Sequence, residues 1–238
     1  MGMGKGYFVT GTDTGVGKTL VAGGLAALFK DNGLDVGVMK PVATGCNWEN
    51  NRLVSDDALF LKSSAQTDDD YELINPVSLE QPLAPSAAAR LSNTEIDPEC
   101  IRSAYRTLCG RHERLIVEGI GGLLVPISDD YFVADMAREM ELPLIIVCRA
   151  ALGTINHTLM TVAYAQGHGL KIKGIIVNDS TGTVDAAVLE TSIDEIGYFT
   201  GLPLLGMIPC IKGLDAKHPD RAFLAKIFRD KLDKGIII

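Results

Sequence analysis

The stretch Gly11-Thr12-Asp13-Thr14-Gly15-Val16-Gly17-Lys18-Thr19 constrains the fold more than any other part of the chain. Before it runs Tyr7-Phe8-Val9, an apolar segment of strand type. After it come Leu20-Val21-Ala22, then Leu25, Leu28 and Phe29 at helical spacing. A strand, a glycine-rich turn ending in Gly-Lys-Thr and a helix together form the context of a phosphate-binding loop. Glycines allow backbone N–H groups to converge on an anion, and the helix N-terminus adds partial positive charge. Lys18 can then reach β- and γ-phosphates, and the Thr19 hydroxyl can hold Mg²⁺. The pattern is not strict, because its first glycine position holds Thr12. A tight turn carrying a surface lysine is the alternative.

Composition narrows the partner. Over 238 residues the net charge is -8, which speaks against a surface that tracks nucleic-acid phosphates and for a small-molecule partner. The 5 cysteines form no C-x-x-C pair, so a reducing cytoplasm without a disulfide frame is expected. Cys148 and Cys210 lie in or beside apolar runs and are expected to be buried thiols. No signal peptide is evident before the first strand, and no apolar run approaches the ~20 residues that cross a bilayer, so no membrane role is expected. His112, His157, His168 and His218 are scattered without metal-ligand spacing and read as surface or packing residues.

Strand-like and amphipathic helical runs alternate along the chain. Strands are predicted at 6–10, 35–40, 113–118, 143–148, 172–177 and 203–207, and helices at 18–31, 55–64, 97–111, 131–139, 154–168, 184–199 and 219–233. Leu115-Ile116-Val117, Leu144-Ile145-Ile146-Val147 and Ile175-Ile176-Val177 are apolar at every position, as strands buried on both faces must be. The expected architecture is one α/β domain spanning 1–238, with a doubly wound, mostly parallel sheet and helices on both faces. Gln81 to Pro85 breaks the pattern before a short helix from Ser86 to Leu91, and the polar segment 44–55 reads as a loop able to cover a site.

In such a sheet, ligands gather at the carboxyl ends of the strands. The second strand ends in Lys40, either a snorkelling surface lysine or a second cation for an anionic substrate. The third ends in Glu118-Gly119-Ile120-Gly121-Gly122, where an acid can hold Mg²⁺ and glycines admit close approach to the backbone. Asp56 and Asp57 open a helix, a position that favours carboxylates in any case. Asn178-Asp179 follows Ile175-Ile176-Val177, and its amide suits an adenine edge or simply a turn. Ile208-Pro209-Cys210 could form the opposite wall of a base pocket.

Seven segments in order, GTDTGVGKT, KPVATG, SDDALFL, VEGIGGLLVP, GTINHTLMT, GIIVND and PLLGMIP, resemble the dethiobiotin synthetase family. The likeness runs from about Tyr7 to Pro209. It implies a doubly wound α/β nucleotide-binding fold of the phosphate-loop nucleoside-triphosphatase type, a homodimer, and ATP-driven carboxylation and ring closure of 7,8-diaminononanoate with CO₂. By the same resemblance, Gly15, Val16, Gly17, Lys18 and Thr19 would bind ATP phosphates, and Gly119, Ile120 and Gly121 would line the nucleotide site. Thr19, Asp57 and Glu118 would surround Mg²⁺, with Asp57 preferred over Asp56 because it directly precedes Ala58-Leu59. Lys18 and Lys40 would be catalytic, and Thr14, Lys40 and Thr44 would contact the substrate. Asn178, Asp179, Ile208, Pro209 and Cys210 would line the adenine pocket. Gly153, Thr154, Ile155 and Asn156 would take the substrate's tail carboxylate across a dimer interface.

Two positions depart from some family members: Gly15 replaces a Glu and Cys210 a Trp. Asp13 stands where partition and cell-division ATPases often carry a second Lys, which disfavours that subclass. Enzymes that amidate corrin acids usually add a glutaminase domain, for which this chain has no length left. An ATP-dependent switch would be supported by a basic amphipathic tail. Lys226 to Leu232 contains an acid and reads instead as a last packing helix.

Overall fold

Strands apolar at every position need cover on both faces, and the chain supplies it by alternation. The structure, a computed structural model, describes residues 5–183 and 186–236, and side chains from 189 onward in the second segment. Strand β1 (Gly6–Gly11) leads through the glycine-rich loop into α1 (Lys18–Asp31), followed by β2 (Val36–Met39). Two short strands, β3 (Val42–Thr44) and β4 (Asn47–Glu49), precede β5 (Arg52–Val54), α2 (Asp56–Ala65), α3 (Tyr71–Ile74) and β6 (Val77–Leu79). Next come α4 (Pro85–Leu91), α5 (Pro98–Arg111), β7 (Arg114–Glu118), α6 (Val133–Met140), β8 (Leu144–Arg149) and α7 (Thr154–Gly167). The chain continues through β9 (Ile172–Asn178), α8 (Ala186–Thr200), β10 (Leu204–Ile208) and α9 (Arg221–Lys231). The six predicted strands and seven long helices are present, with ends shifted by one or two residues. The first two residues expected in the sixth helix, 184 and 185, lie outside the described residues.

Strand order in the main sheet is β10-β9-β8-β1-β7-β2, with every neighbouring pair parallel. Side-chain alternation divides the core. Val9, Ile116, Ile145 and Ile176 face Leu25 and Phe29 of α1, Leu61 of α2 and Phe228 of α9. Phe8, Leu115, Val117 and Leu144 face Ile101 and Leu108 of α5 and Met136 of α6. Ile146, Ile175 and Val177 meet Val162 of α7 and Ile196 of α8. The sheet is thus doubly wound, as the apolar runs require. The path leaves β7 on one side of β1 and resumes at β8 on the other, so the crevice at the switch point opens beside the glycine-rich loop.

Four expectations are corrected. The polar segment 44–55 is not a plain loop. Asn47–Glu49 pairs antiparallel with Arg52–Val54 across Asn50-Asn51, whose φ values of 49° and 63° are those of a tight hairpin turn. Its residues are polar because the hairpin stands largely exposed, so alternation gave no signal. KPVATG is not only a strand end, since Val42–Thr44 forms its own parallel ladder with Val77–Leu79. Cys148 is buried as expected, but Cys210 is only partly so, since it follows β10 at the open end of the sheet. The short helix starts at Pro85 rather than Ser86, a position where a missing N–H costs nothing.

Gly24 sits where α9 crosses α1. A Cβ there would lie 2.1 Å from Cε2 and Cζ of Phe228. Gly24→Ala would gain about 1 kcal/mol of intrinsic helix propensity. Overpacking costs about 1–3 kcal/mol and should prevail, so a lower urea midpoint is expected. Phe228→Leu in that background should recover part of the loss. A stabilised Gly24→Ala would contradict the close crossing.

Candidate functional site

The loop between β1 and α1 is fixed at both ends. The Thr12 N–H donates to the Val147 carbonyl (3.0 Å), extending the ladder beyond β1. Gly15 and Gly17 have φ of 72° and 97°, left-handed values that side chains rarely adopt. Gly17 is doubly required, because a Cβ there would lie 2.0 Å from the Asn178 amide nitrogen. Val16 is buried, and its carbonyl accepts from Asn178 Nδ2 (3.0 Å). Lys18 is buried and donates to the Asp13 carbonyl (3.0 Å). Burial and the neighbouring Lys40 ammonium push the Lys18 pKa down to about 8. Arg149, at the end of β8, donates to Asp13 Oδ2 (2.6 Å), and Asp13 Oδ1 accepts from the Thr14 N–H (2.7 Å).

Beside the loop lies a buried cluster of charge. The parallel register places Met39 opposite Val117, so the next residues, Lys40 and Glu118, emerge side by side. Lys40 is 3% exposed and Glu118 1%. The Lys40 ammonium bridges Glu118 Oε1 (2.5 Å) and Asp57 Oδ2 (2.8 Å). It is therefore not a snorkelling surface lysine. Burial works against its charge, but the two carboxylates outweigh burial and raise its pKa. Burial likewise opposes the Asp57 charge, and Lys40 overrides it, holding that carboxyl below its usual range. Glu118 is the most enclosed, and there burial prevails over Lys40 and raises its pKa. Ser55 caps α2, its hydroxyl accepting from the Ala58 N–H, so Asp56 and Asp57 occupy the first turn. Successive helical residues point about 100° apart. Asp57 faces the cluster and Asp56 turns to Lys217 (3.0 Å), which favours Asp57 as the functional acid.

The cluster suits a hard divalent cation. Thr19 Oγ1 lies 2.9 Å from both Asp57 Oδ1 and Glu118 Oε1. A hydroxyl has one proton, so only one of these contacts can be a hydrogen bond at a time. Glu118 Oε2 is buried without a partner. Hydroxyl and carboxylate oxygens are the donors Mg²⁺ prefers, and two carboxylates leave positions for phosphate oxygens and water. Gly119, Ile120 and Gly121 continue from Glu118. The Gly119 N–H donates to the Val9 carbonyl (2.9 Å), Gly121 has φ of 58°, and Ile120 is half-buried.

The remaining residues lie around this centre. Asn178 ends β9 in register with Arg149 and touches the loop, while its Oδ1 is buried without a partner. Asp179 is taken up by a turn, its Oδ1 accepting from the Thr181 and Gly182 N–H groups. Ile208 is buried, and Pro209 and Cys210 are half-exposed beside the same turn. Thr14 is exposed at the loop tip, and Thr44 ends β3. Gly153 (φ 88°) starts α7 with Thr154 buried, Ile155 half-buried and Asn156 exposed. This segment makes no hydrogen bond or ion pair with Lys18 or Lys40. A cleft of about 310 Å³ instead joins α7 to the loop, lined by Thr12, Asp13, Leu124, His157, Met160 and Tyr164 among others.

Sequence reasoning missed the brace behind Lys40. The Lys40 N–H donates to the Ile74 carbonyl (2.7 Å), and Asn75 Nδ2 donates to the Lys40 carbonyl (2.7 Å). Tyr71 donates its hydroxyl to Asn75 Oδ1 (3.0 Å) and accepts from the Ser55 N–H (2.7 Å). The only signal was Asn75-Pro76, which reads as a turn. The Arg149–Asp13 pair left no signal, because β8 meets the loop only in the folded sheet.

The depressed Lys18 pKa gives a testable pH dependence. The ammonium is the form that binds phosphate, so below about pH 8 this group leaves triphosphate affinity unchanged. Above it, affinity should fall towards about tenfold per pH unit, because binding must then take up a proton. Lys18→Arg should abolish that slope, since guanidinium stays charged. Calorimetric titration with ATP between pH 7 and pH 9.5 measures it, and a flat wild-type profile would contradict the reading.

The chain is similar to known proteins in fold and in sequence. A family model described as an AAA domain matches residues 5–218. Solved structures of a ParA family ATPase from Chlorobium tepidum (TM-score 0.56, 19% identity, 95% of this chain and 98% of that one) and of the Aquifex aeolicus MinC:MinD cell division complex (TM-score 0.57, 13%, 95% of each) share the fold alone. ATP-dependent dethiobiotin synthetases are similar at higher identity. That of Bacillus licheniformis is 44% identical over 98% of this chain and 96% of its own length. That of Thermodesulfovibrio yellowstonii is 39% identical over 90% and 92%, and that of Methanocaldococcus jannaschii 38% over 84% and 92%. With this identity over nearly the whole length of each protein, the chain belongs to the dethiobiotin synthetase family.

Proposed function

We propose that the chain, acting as one α/β unit, converts 7,8-diaminononanoate, CO₂ and ATP into dethiobiotin, ADP and phosphate. The observation that carries this reading is the convergence of Lys18, Lys40, Thr19, Asp57 and Glu118 at the carboxyl ends of β1, β2 and β7. One substrate amine takes up CO₂ and loses a proton to give a carbamate. A carbamate oxygen attacks the ATP γ-phosphorus, and ADP leaves. The second amine attacks the carbonyl of the resulting carbamic–phosphoric anhydride, closing the cyclic urea and expelling phosphate.

No covalent enzyme intermediate is needed, so the protein contributes positioning and charge. Lys18 and the amides of Gly15, Val16 and Gly17 hold the phosphates. Lys40 offsets charge on the carbamate and the transferring phosphoryl group, with Thr14 and Thr44 beside the substrate. Thr19, Asp57 and Glu118 are the residues that would hold Mg²⁺, which when bound neutralises phosphate charge. The orphaned Asn178 Oδ1 is an acceptor suited to the adenine amino group, with Asp179, Ile208, Pro209 and Cys210 around the base. Among the described residues no helix is long and apolar enough to cross a membrane.

The active unit in this reading is a homodimer, in which Gly153, Thr154, Ile155 and Asn156 of each chain serve the partner's site. Support comes from apolar residues left exposed around α7, namely Leu152, Leu124 and Met160. It also comes from the α7 N-terminus, where free N–H groups suit a carboxylate. Mixing Asn156→Ala with Lys40→Ala chains should restore roughly a quarter of wild-type activity, because half the dimers are mixed and each holds one intact site. If both residues serve one chain's site, mixing restores nothing.

Lys40→Met keeps the stem and removes the charge. It should still bind ATP through Lys18 and the loop, and lose ring closure by about 10²–10³, as removal of one transition-state donor does. In the wild type, phosphate should appear only when diamine and bicarbonate are both present, in step with a cyclic urea detected by mass. Full phosphate release without the diamine, or a Lys40→Met variant as fast as wild type, would sink the proposal.

A further inference from the structure

The phosphate loop contains an acid that opposes its purpose. Asp13 lies between Thr12 and Thr14, in the segment whose amides and lysine are to meet a polyanion. It is tied into the loop three ways. Its Oδ1 accepts from the Thr14 N–H, its carbonyl accepts from the Lys18 ammonium, and its Oδ2 accepts from Arg149. Arg149 also lies within 3.4 Å of the Thr14 carbonyl. It is the last residue of β8, in register with Asn178, and four residues before Gly153. Arg149 therefore stands where the phosphate loop, the base-side asparagine and the turn into α7 come together.

We infer that Arg149 is a positioning residue for the triphosphate, neutralising Asp13 and holding the loop strand that carries the Lys18-binding carbonyl. This rests on the reading of Gly11 to Thr19 as the ATP phosphate loop. Without Arg149, the Asp13 carboxylate would face the incoming phosphates uncompensated. Asp13 is close enough to Lys18 to act on its ammonium, so it lies within Coulombic range of what Lys18 binds. The pair is 49% and 42% exposed, so it contributes little to folding and its removal leaves the chain folded. Its effect is expected on nucleotide affinity rather than on stability.

The test is a charge cycle read as ATP affinity by calorimetry and as a KM-against-kcat split, at fixed Mg²⁺ and ionic strength. Arg149→Met should weaken ATP by about three- to tenfold, the size expected for one uncompensated charge several ångströms away at partial exposure. It should leave kcat within about twofold and the melting temperature close to wild type, because the loss is in ground-state binding. Arg149→Lys keeps the charge and should recover most of the affinity. Asp13→Asn added to Arg149→Met removes the unpaired charge while keeping the acceptor for the Thr14 N–H, and should also recover it. Wild-type affinity in Arg149→Met overturns the inference. So does a double variant no better than Arg149→Met, which would mark a purely structural role. Lys18→Ala separates the two readings. If it leaves ATP affinity intact, the phosphate-loop assignment fails and this inference with it. If it abolishes binding while Arg149→Met does not weaken it, only the inference fails.

Discussion

A buried ammonium between two carboxylates is the interaction on which this site depends. Taking Lys40 out of water costs several kcal/mol, and so does burying Glu118. Each is tolerable because the other lies 2.5 Å away and Asp57 completes the pairing. The arrangement demands precise backbone placement, and the parallel register of β2 against β7 provides it. The brace through Ile74, Asn75, Tyr71 and Ser55 then fixes the Lys40 backbone on its far side. Because Ser55 also caps α2, the same network orients the helix that presents Asp57.

The loop and the cluster are two products of one topology. In a parallel sheet every strand delivers its last residue to the same edge, and the order β8-β1-β7-β2 brings four such ends together. β1 delivers the glycine-rich loop, β7 Glu118, β2 Lys40 and β8 Arg149. Side chains press against the backbone there, which explains the glycines: Gly17 lies against the Asn178 amide, and Gly119 has a Cβ site 2.9 Å from the Phe8 ring. Similarity in fold to ParA and MinD ATPases at 13–19% identity reflects this shared scaffold. The site of this chain is made by the side chains that its strand ends carry. Asp13 follows Thr12 in the loop, and it is paired with an arginine from the neighbouring strand.

Residues whose environment is set by near neighbours were readable in advance. The loop was legible because strand, glycines, Lys18, Thr19 and helix are contiguous. The central strands were legible because burial on both faces removes polar residues altogether, and the long helices because their apolar residues recur at helical spacing. The hairpin at Asn47–Val54 was not, because an exposed two-stranded ribbon needs no apolar side and is defined by two left-handed asparagines. The Val42–Thr44 ladder escaped for a related reason: a three-residue strand is specified by its partner, 35 residues away, rather than by its own composition.

The amino-acid sequence by itself determined the fold class, the phosphate loop, the strand ends and, through seven ordered motifs, the family. Those are properties of local pattern, in which each residue's hydrophobicity or conformational freedom suffices. Only the tertiary structure decided that Lys40 is a buried cation rather than a surface one, and that Asp57 faces the cluster while Asp56 pairs with Lys217. It alone placed Arg149 on Asp13, 136 residues away. Charge pairing acts through space over a few ångströms, and a linear pattern carries no measure of that distance until the strands are in register.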